Sequence, residues 1–575
     1  MDQEIQLNQR PPQRHQQQEE HGATAAATPQ DDERQEHQAA AAVHGQGGGG
    51  GATAERHHRS KLTLLPLVFL IYFEVAGGPY GAERAVRAAG PLFALLGFLA
   101  FPFAWGVPVS LVTAELAAAL PGNGGFVVWA DRAFGPLAGS LLGTWKYLSC
   151  VINLAAFPTL VADYLGRVAP AVAVPGSRAR TGTVLGMTVF LSFLNLGGLS
   201  IVGWGAVALG FVSLAPFVLM TAMAAPRTRP RRWAARVQVK GKRDWRLFFN
   251  TLFWNLNYWD SASTMAGEVE RPERTFPRAL AVAVVLIAVS YLLPLMAVIG
   301  ATDAPPEAWE NGYLADAAGG GLGAKRREGP RGHDMAPRGP PDRSYDPRCT
   351  GVGSGCRSCV RMGRTTTLFQ DIFYAGIIGG RWLRYWTEAG AVLSSVGLFE
   401  AQLSSAAFQL LGMAELGLLP SVFARRGPGV RSATPWVAVA ASAAVSLVVS
   451  FLGFDDVVAT ANLLYSLGTL LEFAAFLWLR RGRHAAALKR PSYRVPLPLP
   501  ALAAMCLVPS AFLAYVIAVA GWRVSAIAAG LTALGVGWHG VMRVCRSKKW
   551  LGFNTVVATD PHLRLQDDPP TADRV

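Results

Sequence analysis

Three carboxylates stand in stretches otherwise apolar enough to lie in a bilayer: Glu74, Asp260 and Glu400. A charged side chain at that depth is costly, so each is a functional candidate, able to bind a cation, carry a coupling proton, or do both. Two of them lie where a helix is expected to unwind. Phe73-Glu74-Val75-Ala76-Gly77-Gly78-Pro79-Tyr80-Gly81 sets three glycines and a proline within five residues. Trp254-Asn255-Leu256-Asn257-Tyr258-Trp259-Asp260-Ser261-Ala262-Ser263-Thr264 is unusually polar for a span. Irregular backbone at membrane depth is tolerated only against protein or a water-filled cavity. Gly77, Gly78 and Gly81 could instead serve only close helix packing, but the matched pair of breaks favours a binding site. Tyr80, Tyr258 and Trp259 could add cation–π contacts.

Other charged groups carry weaker signals. Asp163 and Glu472, near span ends, fit plain pairing with a local Lys or Arg, and Glu115 fits either role. Lys146, in Thr144-Trp145-Lys146-Tyr147, could repel cations, pair with a carboxylate or snorkel to the interface. Cys356-x-x-Cys359 lacks a fourth ligand at suitable spacing, so no metal site is expected. Nor does any nucleophile–base pair or phosphate-binding glycine loop suggest an enzyme.

The elements that must position these residues follow from composition. Hydrophobic residues make up 51% of the 575-residue chain and charged residues 16%, too few charges to cover a soluble surface of this size. Apolar runs near 62–86, 91–119, 136–165, 247–269, 279–300, 385–415, 435–453, 457–479, 497–520 and 522–541 are each long enough to span a bilayer. The uncharged stretch from Thr181 to Pro226 breaks at Asn195-Leu196-Gly197-Gly198 and reads as a hairpin of two more. The expected fold is all-α, with about twelve transmembrane helices. The two breaks fall in the first and sixth, corresponding places in two five-helix halves, the mark of an inverted-repeat transporter.

Residues 1–60, rich in Gln, Ala, His and Gly, read as a disordered cytoplasmic tail, 61–542 as the transporter domain and 543–575 as a second cytoplasmic tail. Residues 318–376 form an atypical insertion with ten basic and five acidic residues; an unspliced intron or gene-model error is its leading explanation. Basic residues favour cytoplasmic loops. With the amino terminus inside, Arg271 to Arg278, Arg425-Arg426 and the Arg480 to Arg494 loop conform. Arg227 to Arg246, with nine basic residues and only Asp244 acidic, falls outside against the rule.

Several stretches together are specific. They include Glu74-Val75-Ala76-Gly77-Gly78-Pro79-Tyr80-Gly81, Leu111-Val112-Thr113-Ala114-Glu115-Leu116, Asn123-Gly124-Gly125 and Phe249 to Asp260. Gly267-Glu268-Val269-Glu270 through Leu280, Phe408-Gln409-Leu410-Leu411-Gly412-Met413 and Pro491-Ser492-Tyr493-Arg494-Val495-Pro496 complete the set. Over about 61 to 550, apart from the insertion, the chain resembles the plant polyamine uptake transporters of the amino acid–polyamine–organocation superfamily. The resemblance implies a five-plus-five inverted repeat and polyamine/proton symport at the plasma membrane, with protons as coupling ion and no other cofactor. It puts substrate against Gly77, Gly78, Pro79, Tyr80 and Gly81, and against Trp259, Asp260, Ser261 and Ser263. Third- and eighth-helix residues, Asn153 and Glu400 among them, would close the pocket, and Glu74, Asp260 and Glu400 are the proton-coupling candidates. The chain departs from the family pattern at three places. Pro108-Val109-Ser110-Leu111 lacks an acid of the second helix, Asn153 stands for an acid of the third, and Ser261 for a lysine. Amino acids as cargo, or a membrane sensor without flux, are the alternatives; expected partners are a small cationic substrate and the bilayer, not nucleic acid.

Overall fold

The computed structural model describes residues 61–166, 169–234, 243–319, 378–427, 434–451, 454–481 and 493–554. The expectations for the 1–60 tail, the body of the 318–376 insertion with its three cysteines, and the chain beyond Asn554 lie outside the described residues. Within them the chain is helical throughout, and the β pairing is confined to two isolated bridges. Helices dominate because a bilayer offers the backbone no partners, so each segment must satisfy its own N–H and C=O groups.

The segments fall where the apolar runs place them. The first span is two pieces, α1 (Leu64–Val75) and α2 (Glu83–Ala89). The second is α3 (Pro91–Phe101), a π-helical turn at Pro102–Gly106, and α4 (Val107–Ala119). A short helix α5 (Phe126–Phe134) leads to α6 (Pro136–Gly166), then α7 (Arg178–Asn195) and α8 (Leu199–Ala224). The sixth span pairs α9 (Trp245–Asn255) with 3-10 turns at Ser261–Thr264 and Ala266–Glu268. Next come α10 (Pro272–Ala301), the short α11 (Tyr313–Gly319) and α12 (Arg381–Glu415). The last four are α13 (Trp436–Val449), α14 (Phe454–Leu479), α15 (Leu499–Val519) and α16 (Trp522–Ser547). Among the described residues eight helical stretches, α3 through α4 taken as one, are long and apolar enough to cross a membrane. Lipid-type exposure matches: Phe211, Val218, Leu507, Leu534 and Trp522 are large apolar side chains left uncovered. Arg543, where the second tail was expected to begin, is still inside α16, and Asn554 reaches back to donate to the Ala414 carbonyl at 3.3 Å.

Both expected breaks are present. After α1, Gly77 and Gly78 adopt φ of +68° and +108°, conformations that a side chain disfavours. A Cβ at Gly77 would also meet Leu398 within 2.6 Å, so the loop lies directly on α12. Ser394 of α12 donates to the Gly77 carbonyl, satisfying an acceptor that unwinding frees. In the sixth span the ladder stops at Asn255, and Tyr258 holds φ of +63°, uncommon for a residue with a side chain. Its amide donates to Tyr465 Oη at 3.0 Å, which holds that conformation in place. Gly124, Gly125 and Gly412 let the turn before α5 press on α12 and on Ser263, where backbone atoms leave no room for a Cβ.

The described residues of the basic 227–246 loop lie at the Ala301 end of α10, opposite the end that carries Arg271. They are tied to the protein. Arg232 pairs with Asp303 and donates to the Gly300 carbonyl at 3.0 Å. Arg243 stands over the Phe93 ring at 4.7 Å, and Asp244 caps α9 by accepting from the Leu247 amide.

Candidate functional site

Two connected cavities run inward from the face that carries Arg84. The outer one, of about 950 Å³, is a vestibule between α6, α7, α9 and α14. The inner one, of about 50 Å³, lies beneath it between the two helix breaks, α6 and α12. Gly81, Leu160, Trp254 and Asn311 line both. A row of hydrogen bonds crosses the junction. Trp254 Nε1 donates to Asn153 Oδ1 at 3.1 Å, Asn153 Nδ2 to Gln402 Oε1 at 3.0 Å, and Gln402 Nε2 to the Glu74 carbonyl at 3.4 Å. Four spans thus meet in a thin polar partition.

The inner chamber holds unsatisfied polar atoms. Ser405 donates to Glu74 Oε1, but Glu74 Oε2 has no hydrogen-bond partner, and neither has either polar atom of the Asn257 amide. All are buried, and both residues line the chamber. Buried polar groups are nearly always bonded, so such orphans call for an explanation, and a ligand is one. A carboxylate acceptor and an amide lining one chamber, with Tyr80, Tyr164, Trp254 and Tyr258 around them, suit an ammonium group, which brings three donors and a charge that aromatic faces attract.

Of the residues singled out from the sequence, Glu74, Gly77, Tyr80, Gly81, Asn153 and Tyr258 line the chamber. Gly78 and Pro79 complete the loop without being part of either lining. Four sixth-span residues sit behind the chamber instead. Trp259 packs on Gly106, where a Cβ would come within 2.9 Å of its ring, and donates to the Leu256 carbonyl. The Ser261 carbonyl receives the Ser405 hydroxyl at 3.3 Å, and Ser263 lies under Gly125. Asp260 is fully buried and lines neither cavity: Lys146 Nζ reaches its Oδ2 at 2.6 Å and Tyr465 Oη its Oδ1 at 2.6 Å. The chain emerging from the break turns Tyr258 to the chamber and Asp260 to its back.

Glu400 also lies elsewhere, and helical phase explains why. Ala391, Ser394, Ser395, Leu398 and Gln402 form one stripe of α12 facing the chamber. Two residues from Leu398 and from Gln402, Glu400 points about 200° away from them. There it meets α7, where Asn195 Nδ2 donates to its Oε2 at 2.9 Å. Gln402, Trp254, Asn257 and Ser405 are site residues the sequence reading did not assign; only the polarity of the sixth span hinted at Trp254 and Asn257. Asp163 pairs with Arg180 at 2.7 Å, as the plainer reading has it. Glu472 pairs with a lysine too, but a distant one, Lys146 at 3.5 Å.

On the opposite face the described residues are tied together. Leu62 and Val269 form a bridge, with Leu62 N donating to the Glu268 carbonyl at 2.9 Å. Arg426 reaches Glu268 at 2.8 Å and Glu415 at 3.7 Å, and Asn123 donates to Glu268 at 3.3 Å. Glu115 is spent on structure here, paired with Arg480 at 2.9 Å while accepting from the Val495 amide. Among the described residues, a vestibule thus opens at one face, a small chamber lies between the broken helices, and a lock ties the other.

That arrangement has sequence relatives. A family model described as amino acid permease matches residues 62–320. The chain is 40% identical to "Polyamine transporter PUT1" of Oryza sativa subsp. japonica, over 86% of this chain and 80% of the relative. It is 39% identical to "Polyamine transporter RMV1" of Arabidopsis thaliana, over 86% and 88% of the two chains. With identity of this order over 86% of the chain, it belongs to the family of the plant polyamine transporters, multi-pass membrane proteins of the amino acid permease type.

Proposed function

We propose that this protein moves small polyamines such as putrescine, spermidine and spermine inward across the plasma membrane, coupled to protons. The observation that carries this is the orphaned Glu74 oxygen, buried with the orphaned Asn257 amide in one chamber lined with aromatic rings. The names of the relatives support the same cargo. A chamber of about 50 Å³ has room for one ammonium head group, and the vestibule above it for the rest of an extended chain. Loading would break the Trp254–Asn153–Gln402 row and draw the two breaks together around the amine. Release would follow opening of the Arg426–Glu268 lock, the face we assign to the cytoplasm together with the amino terminus. A dication gains about 4.6 kcal/mol in an inside-negative potential of 100 mV, twice the roughly 2.3 kcal/mol of a single charge.

A second reading, amino acid transport, draws on the vestibule. Arg87 pairs there with Glu310 and Arg180 with Asp163, and Arg84 and Arg246 add positive charge beyond these pairs. Arginines suit a substrate carboxylate. Labelled spermidine uptake into proteoliposomes, challenged with putrescine, arginine and leucine, separates the two. Competition by putrescine alone is the expected result. Competition by leucine would assign amino acids as cargo, and binding without flux would identify a sensor.

A further inference from the structure

Behind the chamber, where no cavity lining reaches, three ionisable side chains from three spans meet. Lys146 of α6 bonds Asp260 of the sixth-span break at 2.6 Å and Thr469 of α14 at 2.6 Å, and lies 3.5 Å from Glu472 of α14. All three are buried, with Asp260 and Glu472 wholly covered. Gly468 clears the space for the lysine: a Cβ there would come within 2.8 Å of its stem. Around the cluster stand Tyr465, whose ring lies 3.8 Å under the ammonium, and Tyr258. Cys150 and Glu74 face Asp260 from the chamber side, and Cys506 of α15 faces Glu472.

One cation and two carboxylates leave a net charge of −1 in a dry interior, an expensive state. The geometry shows where the imbalance falls. Asp260 takes the ammonium at 2.6 Å, while Glu472 stands off from the same nitrogen at 3.5 Å and neither of its oxygens has a hydrogen-bond partner. Two buried carboxylates around a single ammonium favour holding one proton between them, as carboxyl pairs in other proteins do. One proton there balances the charge of the cluster and satisfies the orphaned carboxyl.

The cluster is also joined to the chamber. Tyr258 lines the chamber, its amide donates to Tyr465 Oη, and that hydroxyl donates to Asp260. Two residues of the same break therefore face substrate on one side and the cluster on the other. If the break moves with its load, Asp260 must shift against Lys146 and Glu472.

We propose that Glu472, with Asp260 and Lys146, is the proton-coupling site of this transporter, seating one proton between the two carboxyls. The proton binds Glu472 and Asp260 with the break in one position and leaves when Asp260 parts from Glu472 in the other; no bond other than O–H forms or breaks. This rests on the transport reading above, which exchange of labelled substrate reports separately, because exchange needs no proton gradient.

The test uses the full chain in proteoliposomes, with the voltage clamped at zero and a pH difference of one unit. Labelled putrescine, or leucine if exchange assigns amino acids, is the probe. One coupled proton gives the wild type about tenfold accumulation per pH unit. Normalised to its own exchange rate, Glu472→Gln is expected to show no accumulation, and Glu472→Asp to restore it. Asp260→Asn, which leaves a balanced lysine–glutamate pair, is expected to behave like Glu472→Gln and carries the test if that variant does not insert. Tenfold accumulation retained by the carboxamide variant would overturn the proposal.

Discussion

Replacing Lys146 by Met is expected to cost the folded protein about 3–5 kcal/mol, the usual result of removing one partner from a buried ion pair. The lysine bonds Asp260 and Thr469, lies beside Glu472 and stands over the Tyr465 ring. Without it two covered carboxyls face each other with no cation. Met fills a similar volume, so lost packing contributes little. Thermal unfolding of the purified protein measures the loss, and the deficit should shrink as pH falls, because a neutral carboxyl needs no counter-charge. Lys146→Arg is not a rescue: the stem already rests on Gly468, and the guanidinium fork needs more width. A wild-type midpoint for Lys146→Met at neutral pH would show that the pair contributes nothing.

Glu74→Gln is expected to raise the half-saturating putrescine concentration by about tenfold to a hundredfold. Gln keeps the shape and can still accept from Ser405, so the loop after α1 should hold. What disappears is the negative charge at Oε2, the atom left for the substrate. Hydrogen bonds to charged groups contribute about 1.5–3 kcal/mol, which converts to that range. Concentration dependence of initial uptake rates checks it. An unchanged curve would mean that the amine sits elsewhere, the vestibule being the other large space.

The spans and both breaks could be read directly from the chain, because apolar length and clustered glycine are local signals. Glu74 was legible for the same reason: it adjoins its own break. What the chain could not disclose was partnership across distance. Lys146 and Asp260 are 114 residues apart, and nothing near either names the other. Glu400 shows a second limit. Intramembrane depth marked it out, but depth does not give azimuth, and one step of helical phase sends it to α7 while Gln402 takes the chamber. The order Tyr258, Trp259, Asp260 fails similarly, since a left-handed residue redirects the chain in a way periodicity does not register.

The unequal sizes of the two connected cavities have a pharmacological consequence. A molecule with one ammonium head and a body too bulky to pass Trp254 and Asn153 could seat its head and lodge in the vestibule. It would hold the row of hydrogen bonds apart and keep the Arg426–Glu268 lock shut. Such a compound would block as a cork does, from the vestibule side only and without being carried. Polyamines lengthened by a rigid ring system would then act as sided inhibitors rather than slow substrates.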